Sequence, residues 1–295
     1  MILSLFFTRG VSLESWLSLG LFDREKLVYE EHLNQKNLDK IYWFTYGSND
    51  NKLSLQLKKE GRLHEGIEVF EMPSFFKIPK IGSLMYSIFL PFYYAKLLGV
   101  SDVLKTNQMD GSWSAVISKW LYKKKLLVRT GYTLSQLEFS KNKGGIRYEY
   151  YKLIEKFAYK YCDVAIVASN NNKEYLLLND FLPESNISVV TNFVDVNLFR
   201  SLNLKRYKNK IIFVGRLNKE KNLFNLIEAI TRTNLTLDIY GQGELKNELK
   251  RFAKEKKANI NFMGTVPNDE LVTVYNQYQY YILPSYFEGI PKTLL

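Results

Sequence analysis

The chain has 295 residues, 46% hydrophobic and 24% charged, a globular composition with length for two domains of ordinary size. One cysteine, Cys162, excludes an internal disulfide framework, and the two histidines, His32 and His64, lie in unrelated contexts without metal-ligand spacing. A formal charge of +11 points to an anionic partner: a phosphorylated small molecule, an acidic membrane face or nucleic acid. No nucleic-acid module or contiguous basic face with interleaved aromatics supports the last.

In chain order, the apolar opening (residues 1–10) lacks a basic n-region and a small-residue cleavage site, so it reads as a buried strand and not a signal peptide. Strands are expected at 2–7, 41–46, 68–70, 102–106, 126–129, 164–168 and 187–191, and helices at 23–34, 48–60, 112–122, 146–161 and 171–179. That alternation describes a parallel sheet wrapped by helices. Residues 81–100 barely reach a bilayer-spanning length and carry Pro91 and Lys96. They read as a core helix, kinked or started at Pro91, with contact to a membrane surface as the alternative. Cys162, at the foot of an apolar run, reads as a buried structural thiol.

The polar, basic stretch at 203–210 reads as an interdomain linker, giving a first domain over 1–203 and a second over 204–295. The pattern then restarts, with strands at 211–214, 235–240, 260–263 and 280–283 and helices at 222–231, 244–256 and 268–276. The basic run within 246–257 alternates with Glu and apolar residues at helical spacing, as a solvated helix face does. The fold class is thus α/β, with two doubly wound parallel-sheet (Rossmann-like) domains, the second incomplete after four strands and a stub of helix.

Three loops after strands of the second domain carry chemistry. In VGRLNKEKN (214–222), Gly215 permits a close backbone turn while Arg216 and Lys221 can converge on one anion; a planar fork and a point charge suit a diphosphate. In YGQGE (240–244), Gly241 and Gly243 either let a base or ribose approach backbone or simply form a turn. In PSYFEGIPK (284–292), Glu288 precedes a helix start, where a carboxylate caps or grips sugar hydroxyls.

In order and spacing these motifs resemble the C-terminal, donor-binding domain of the GT-B glycosyltransferases, in particular the large retaining class called glycosyltransferase group 1 (family 4). GRLNKEKN is similar to that family's G-R-L-x-x-x-K-G, with Asn222 where glycine is usual. NFVDVNLF (192–199) resembles its N-G-V-D-x-x-x-F, with Phe193 in place of glycine, and YCDVAIVAS (161–169) its A-D-x-V-x-x-x-S. EGIPKTLL is similar to the first eight residues of its E-x7-E motif. The resemblance covers nearly the whole chain in organisation, while its specific motifs lie mostly in the last 90 or so residues.

The resemblance implies two domains facing across a cleft and a nucleotide-diphosphate sugar as donor, with no metal required. It implies that Arg216 and Lys221 hold the diphosphate and stabilise the leaving group, that Glu288 contacts the donor sugar, and that the N–H groups of Gly289 and Ile290 lie nearby. FFTRGVS (6–12), with Gly10, would close over the donor phosphates. On the acceptor side, TNQMDGSW (106–113) offers Asp110 for hydroxyls and Trp113 for stacking, and Arg129 and Tyr132 stand where many members place a histidine. The implied partners are the donor and a glycan or lipid-linked acceptor of cell-surface polysaccharide synthesis, in the cytoplasm and peripheral to the inner membrane face. The motif's second glutamate would fall one residue beyond Leu295, so a truncated transferase with little activity alone is expected. The alternative is a non-catalytic fragment or subunit completed by a partner chain.

Overall fold

In a computed structural model, residues 1–142, 144–286, 288 and 290–295 are described. The chain divides into two compact units, Met1–Thr191 and Asn192–Leu295.

The first unit runs β1 (Ile2–Phe6), α1 (Leu13–Ser18), α2 (Phe22–Asn34), β2 (Lys40–Phe44), α3 (Asp50–Lys59), β3 (Ile67–Phe70), α4 (Gly82–Tyr93) and α5 (Ala95–Val100). It continues with β4 (Val103–Thr106), α6 (Ser112–Tyr122), β5 (Lys125–Thr130), α7 (Leu134–Asn142), α8 (Ile146–Tyr161), β6 (Val164–Val167), α9 (Asn170–Leu178) and β7 (Ile187–Val189). Its seven strands pair in the order β3-β2-β1-β4-β5-β6-β7, and every ladder is parallel. A parallel sheet needs apolar strands because both faces meet other elements. Leu5, Ile41, Trp43, Phe44, Leu104, Leu126 and Val128 are accordingly fully enclosed. Phe7 stacks on Trp16, and Trp43 meets Trp16 edge-on, tying α1 to the sheet.

All seven strands and all five helices expected here appear, with ends moved by at most two residues. Two further helices, α1 and α7, were not expected. Each starts against a buried acid from elsewhere in the chain. Asp50 accepts hydrogen bonds from the backbone N–H groups of Leu13 (2.8 Å) and Glu14 (3.4 Å), and Glu155 accepts from the N–H of Ser135 (3.1 Å). Burial raises the Glu155 carboxyl above its ordinary value, against the lowering effect of the Ser135 hydrogen bonds.

The 81–100 helix is continuous through Pro91 and breaks at Tyr94 instead. Proline cannot donate to the carbonyl four residues back, that of Ser87. The Ser114 hydroxyl of α6 donates to that freed carbonyl, and the Tyr122 hydroxyl donates to the Pro91 carbonyl (2.7 Å). The proline is therefore where α4 docks on α6. Only one face of α4 is core: Tyr86, Ser87, Leu90 and Pro91 are buried, while Ile88, Phe89, Phe92 and Tyr93 are exposed. Cys162 is half-buried, its thiol donating to the Tyr159 carbonyl (3.3 Å), and burial pushes it up to about 12. That suits a structural thiol.

The second unit runs β8 (Tyr207–Val214), α10 (Leu223–Ile230), β9 (Thr236–Tyr240), α11 (Lys246–Glu255), β10 (Ile260–Gly264), α12 (Asn268–Asn276) and β11 (Tyr278–Tyr281). The order β10-β9-β8-β11 is again wholly parallel. Half of the stretch expected as a linker is strand: Tyr207 pairs with Tyr278 and Lys210 with Thr236, so the lysines hide a β signal. The expected helical turn after Pro291 is a three-residue 3-10 turn, Lys292–Leu294.

Phe213, Leu223, Ile227, Leu237, Ile239 and Leu249 form the core of this unit. One buried acid interrupts it. Asp238, 1% exposed, accepts from Lys210 Nζ (2.9 Å), Asn261 Nδ2 (2.7 Å) and the Tyr278 hydroxyl (2.6 Å). Those partners come from β8, β10 and β11, so one carboxylate on β9 is bound from every other strand of the sheet. Desolvation, reinforced by the hydrogen bond to Asp238, raises the Tyr278 phenol far above its ordinary value.

Candidate functional site

In a doubly wound sheet, ligands sit beyond the carboxyl ends of the strands where the strand order reverses. In the second unit the chain proceeds from β8 to β9 to β10 and then returns to the other side of β8 as β11. The reversal lies between β8 and β11. Its two loops are 215–222 and 282–291, which hold two of the three motifs.

Gly215 leaves β8 with its N–H on the Tyr240 carbonyl (3.0 Å), and Leu217 donates to the Gln242 carbonyl (2.9 Å). The first and second motif loops are thereby bound to each other. The glycines are required by this contact. A Cβ on Gly241 would lie 1.9 Å from the Gly215 carbonyl oxygen, and one on Gly243 would lie 2.3 Å from that of Leu217. Of the two sequence readings of this pair, the geometry favours the turn. The space the missing side chains leave is filled by the chain's own backbone.

The first loop then makes a 3-10 turn, Lys219–Lys221, and enters α10 through Asn222, whose φ of 55° and ψ of 37° are left-handed. Glycine adopts that conformation without strain, and asparagine is among the few other residues that tolerate it. The departure from the family's glycine is therefore conformationally neutral in kind.

The turn brings together residues far apart in sequence. Lys221 Nζ pairs with Glu288 Oε1, and the same oxygen accepts from the Ser285 hydroxyl (2.5 Å). The N–H of Tyr286 donates to the Glu220 carbonyl (3.0 Å), clamping the third motif loop onto the first. The side chains of Lys221 and Glu288 are 16% and 24% exposed, so the pair is partly shielded although Glu288 itself lies at the surface. Arg216 is exposed, and its guanidinium has neither an ion pair nor a hydrogen bond among the described residues. Ile290 accepts from Asn192 Nδ2 through its carbonyl (2.7 Å), and Lys292 lies over the Phe193 ring at 5.6 Å. The NFVD segment is thus packed on the third motif loop, and Phe193 offers the lysine a ring that glycine could not. Gly289 lies outside the described residues.

The first unit repeats the geometry. Its strand order reverses between β1 and β4, and the loops there carry Gly10 and Asp110. Gly10 has a φ of 77° and open space around a would-be Cβ, so its conformation, not crowding, selects glycine. Arg9, which sequence reasoning passed over, is the organising residue. Its guanidinium grips Asp110 bidentately (3.1 and 3.3 Å), its N–H donates to the Asp110 carbonyl (3.0 Å), and it lies 5.7 Å from the Trp113 ring centroid. Burial opposes the Arg9 charge, but the hydrogen bond and charge of Asp110 outweigh it and hold the group above its ordinary value. Trp113 is anchored by its indole N–H on Ser87 Oγ (2.9 Å). The signal for Arg9 was present: a lone arginine beside a glycine directly after a strand.

Arg129 and Tyr132 are not brought to this cluster by any hydrogen bond recorded among the described residues. Tyr132 is exposed in the loop after β5. Arg129 lies within β5, near Lys105 and Tyr29. Lys105 Nζ donates to the Tyr29 hydroxyl (2.6 Å), and desolvation, with the Arg129 charge adding to it, lowers Lys105 to about 7. A lysine bonded to a buried tyrosine beside an arginine inside a sheet left no trace in the sequence pattern.

Among the described residues no cluster of three or more His, Cys, Asp or Glu could hold a metal ion, and no helix is long and apolar enough to cross a membrane.

With this geometry established, the chain compares with known proteins as follows. An uncharacterized glycosyltransferase of Methanocaldococcus jannaschii is 26% identical over 251 residues, covering 77% of this chain and 62% of that protein. The UDP-Gal:alpha-D-GlcNAc-diphosphoundecaprenol alpha-1,3-galactosyltransferase of Escherichia coli is 30% identical over 169 residues, 49% of this chain and 42% of that protein. This chain thus spans less than two thirds of the length of either relative. Among solved structures, the sucrose-phosphate synthase of Thermosynechococcus elongatus superposes with a TM-score of 0.74 at 16% identity, covering 99% of this chain and 77% of that one. The fold is GT-B-like, with two Rossmann-like parallel sheets, and residues 195–295 match the family model for glycosyl transferases group 1.

Proposed function

We propose that the chain is a glycosyltransferase that binds a nucleotide-diphosphate sugar at the strand-order reversal of its second unit. The carrying observation is the meeting of Lys221 and Glu288 there, with Arg216 in the same loop and without a partner among the described residues. In the free protein Glu288 occupies Lys221. An arriving diphosphate draws Lys221 away and meets Arg216 as a second cation, and Glu288 is released to accept hydrogen bonds from the sugar hydroxyls. As the glycosidic bond to the diphosphate breaks, negative charge grows on its oxygens, and the two cations stabilise it without a metal. The transfer is retaining: the departing phosphate oxygen takes the acceptor proton, so no protein base is needed. That reading accommodates Asp110, which Arg9 already holds by two hydrogen bonds and which serves as a fixed acceptor wall beside Trp113.

The acceptor we propose is a lipid-linked glycan of cell-surface polysaccharide synthesis, in line with the diphosphoundecaprenol acceptor named for the Escherichia coli relative. The test is calorimetric titration of the 295-residue chain with UDP, GDP and ADP, with and without EDTA. One diphosphate binds, EDTA changes nothing, and Arg216→Ala weakens binding by about 10-fold or more, the loss of a charged hydrogen-bond partner. Absence of binding by all three to a folded chain, or binding indifferent to Arg216→Ala, sinks the assignment.

A further inference from the structure

The open edge of the second sheet is a feature that donor binding does not use. Strand β10 stands at one end of the order β10-β9-β8-β11 and pairs with β9 alone. The Leu237 N–H donates to the Asn259 carbonyl (3.0 Å), and Leu237 sits opposite Ile260. In a parallel ladder that register turns the peptide groups of Asn259, Asn261 and Met263 toward β9 and those of Ile260 and Phe262 outward. The outward N–H and C=O groups have no hydrogen-bond partner among the described residues. Such an edge is a template for one more strand unless something blunts it.

A groove of about 1040 Å³ wraps this edge. Lys250, Lys254 and Lys257 line it from α11 and the turn that follows, and Lys210, Asn261 and Met263 line it from the sheet. Lys210 is engaged by Asp238, whereas Lys250, Lys254 and Lys257 are exposed and have no ion pair among the described residues. Lys250 Nζ lies 5.8 Å from the Phe262 ring centroid, on the side of β10 that faces α11. No Asp or Glu lines the groove among the described residues, and the chain has none from Lys256 to Asn268. Lysines commonly guard an edge because they repel most strands that approach. The same charges admit an acidic strand, and three unpaired lysines with no acid among them select for one.

We propose that this edge receives an acidic peptide segment as a fifth strand, which makes it a protein-recognition site on the second unit. Main-chain hydrogen bonds to Ile260 and Phe262 hold the segment, and its side chains alternate between the two faces of the sheet. Those directed to the α11 side meet Lys250 and Lys254 and are acidic. Those directed to the other side meet Met263, 49% exposed, and are apolar. The recognised pattern is thus an alternation of acidic and apolar residues. A second copy of the chain fits less well, since pairing β10 with its own counterpart opposes lysines to lysines. The edge is two strands away from β8 and the strand-order reversal, so the proposal stands or falls apart from donor binding.

The test is fluorescence anisotropy of a labelled peptide of alternating glutamate and valine with the purified 295-residue chain at low salt. The acidic peptide binds saturably, and a peptide of alternating lysine and valine does not. Two further peptides are methylated on every glutamate nitrogen or on every valine nitrogen. The first modification blocks an antiparallel pairing and the second a parallel one, so one of the two weakens binding by about tenfold or more through loss of main-chain hydrogen bonds. Amide hydrogen exchange at Ile260 and Phe262 slows when the unmodified peptide is bound. Lys250→Glu/Lys254→Glu weakens binding by about tenfold or more, because two exposed attractions become repulsions; circular dichroism shows that the variant keeps its fold. Absence of saturable binding by the acidic peptide overturns the proposal, as does equal binding by wild type and variant. Equal binding of both methylated peptides, with exchange at Ile260 and Phe262 unchanged, overturns it in favour of general attraction of anions to the lysines. A dimer in analytical ultracentrifugation whose Ile260 and Phe262 amides are already protected without peptide overturns it in favour of a second copy.

Discussion

Glu288→Gln is the substitution that most directly separates a poised donor site from a static salt bridge. The side chains of Lys221 and Glu288 are 16% and 24% exposed, so their pairing is a partly desolvated, charge-assisted contact and not a surface pair of negligible value. A hydrogen bond to a charged group contributes about 1.5–3 kcal/mol and a neutral one about 1, so exchanging carboxylate for amide weakens the hold on Lys221 by roughly 1 kcal/mol. If a diphosphate must take Lys221 from Glu288, that 1 kcal/mol reappears as affinity, about fivefold tighter binding of UDP. Glutamine keeps the size of the side chain and can still accept from Ser285, so the loop conformation is preserved. Lys221→Met weakens UDP binding by about 10- to 150-fold, from the loss of one charged partner. In the double variant the gain from Glu288→Gln disappears, because no lysine is left to release; the coupling is about 1 kcal/mol in a double-mutant cycle. Isothermal titration at low salt reads all four constants. Unchanged or weaker UDP binding in Glu288→Gln, with the fold intact, refutes the exchange of partners.

Other substitutions test the scaffold. Gly241→Ala places a methyl group 1.9 Å from the Gly215 carbonyl oxygen at a φ of 142°, and the second unit loses several kcal/mol or fails to fold, read by urea unfolding. At Asn222, with its left-handed φ of 55°, Gly is neutral or slightly stabilising whereas Val costs about 1–2 kcal/mol in the same assay. Lys105 has a folded pKa near 7, below its unfolded value, so the unfolded chain binds more protons between those limits and stability rises with pH there. The penalty is full below about pH 7 and is relieved as pH rises toward the unfolded lysine's value. Lys105→Met flattens the rise in stability between pH 7 and 8.5, a window chosen to stay under the titration of the unfolded cysteine; identical slopes in the two proteins contradict the assignment.

What could be read in the sequence was whatever depends on local pattern. The runs IYWF and IIFV announce strands because a parallel sheet enclosed on both faces leaves room only for apolar side chains, and Ser112–Tyr122 was legible to the residue. What could not be read depends on partners distant in the chain. Helix α1 carries a local cap, Ser12 boxed with Ser15, that the reading passed over, and Asp50, 37 residues beyond Leu13, adds to it; α7 starts against Glu155, 20 residues beyond Ser135, and neither acid announces its target. The lysines of residues 207–210 looked like a linker because their neighbours, Tyr278 and Thr236, lie far along the chain. In the site, the order of the motifs named Arg216, Lys221 and Glu288 as a set, but only the reversal of strand order brings Lys221 to Glu288 across 67 residues. Arg9 was overlooked because the arginine and the aspartate it grips lie 101 positions apart.

The buried Asp238 has a consequence for how the second unit is made. Its carboxylate needs Lys210, which leaves the ribosome earlier, but also Asn261 and Tyr278, which follow by 23 and 40 residues. A nascent chain that has completed β8 and β9 holds a charge at its centre with only one of three ligands, and burying that charge early is costly. Enclosing Asp238 is therefore disfavoured until β10 and β11 bring Asn261 and Tyr278 to it.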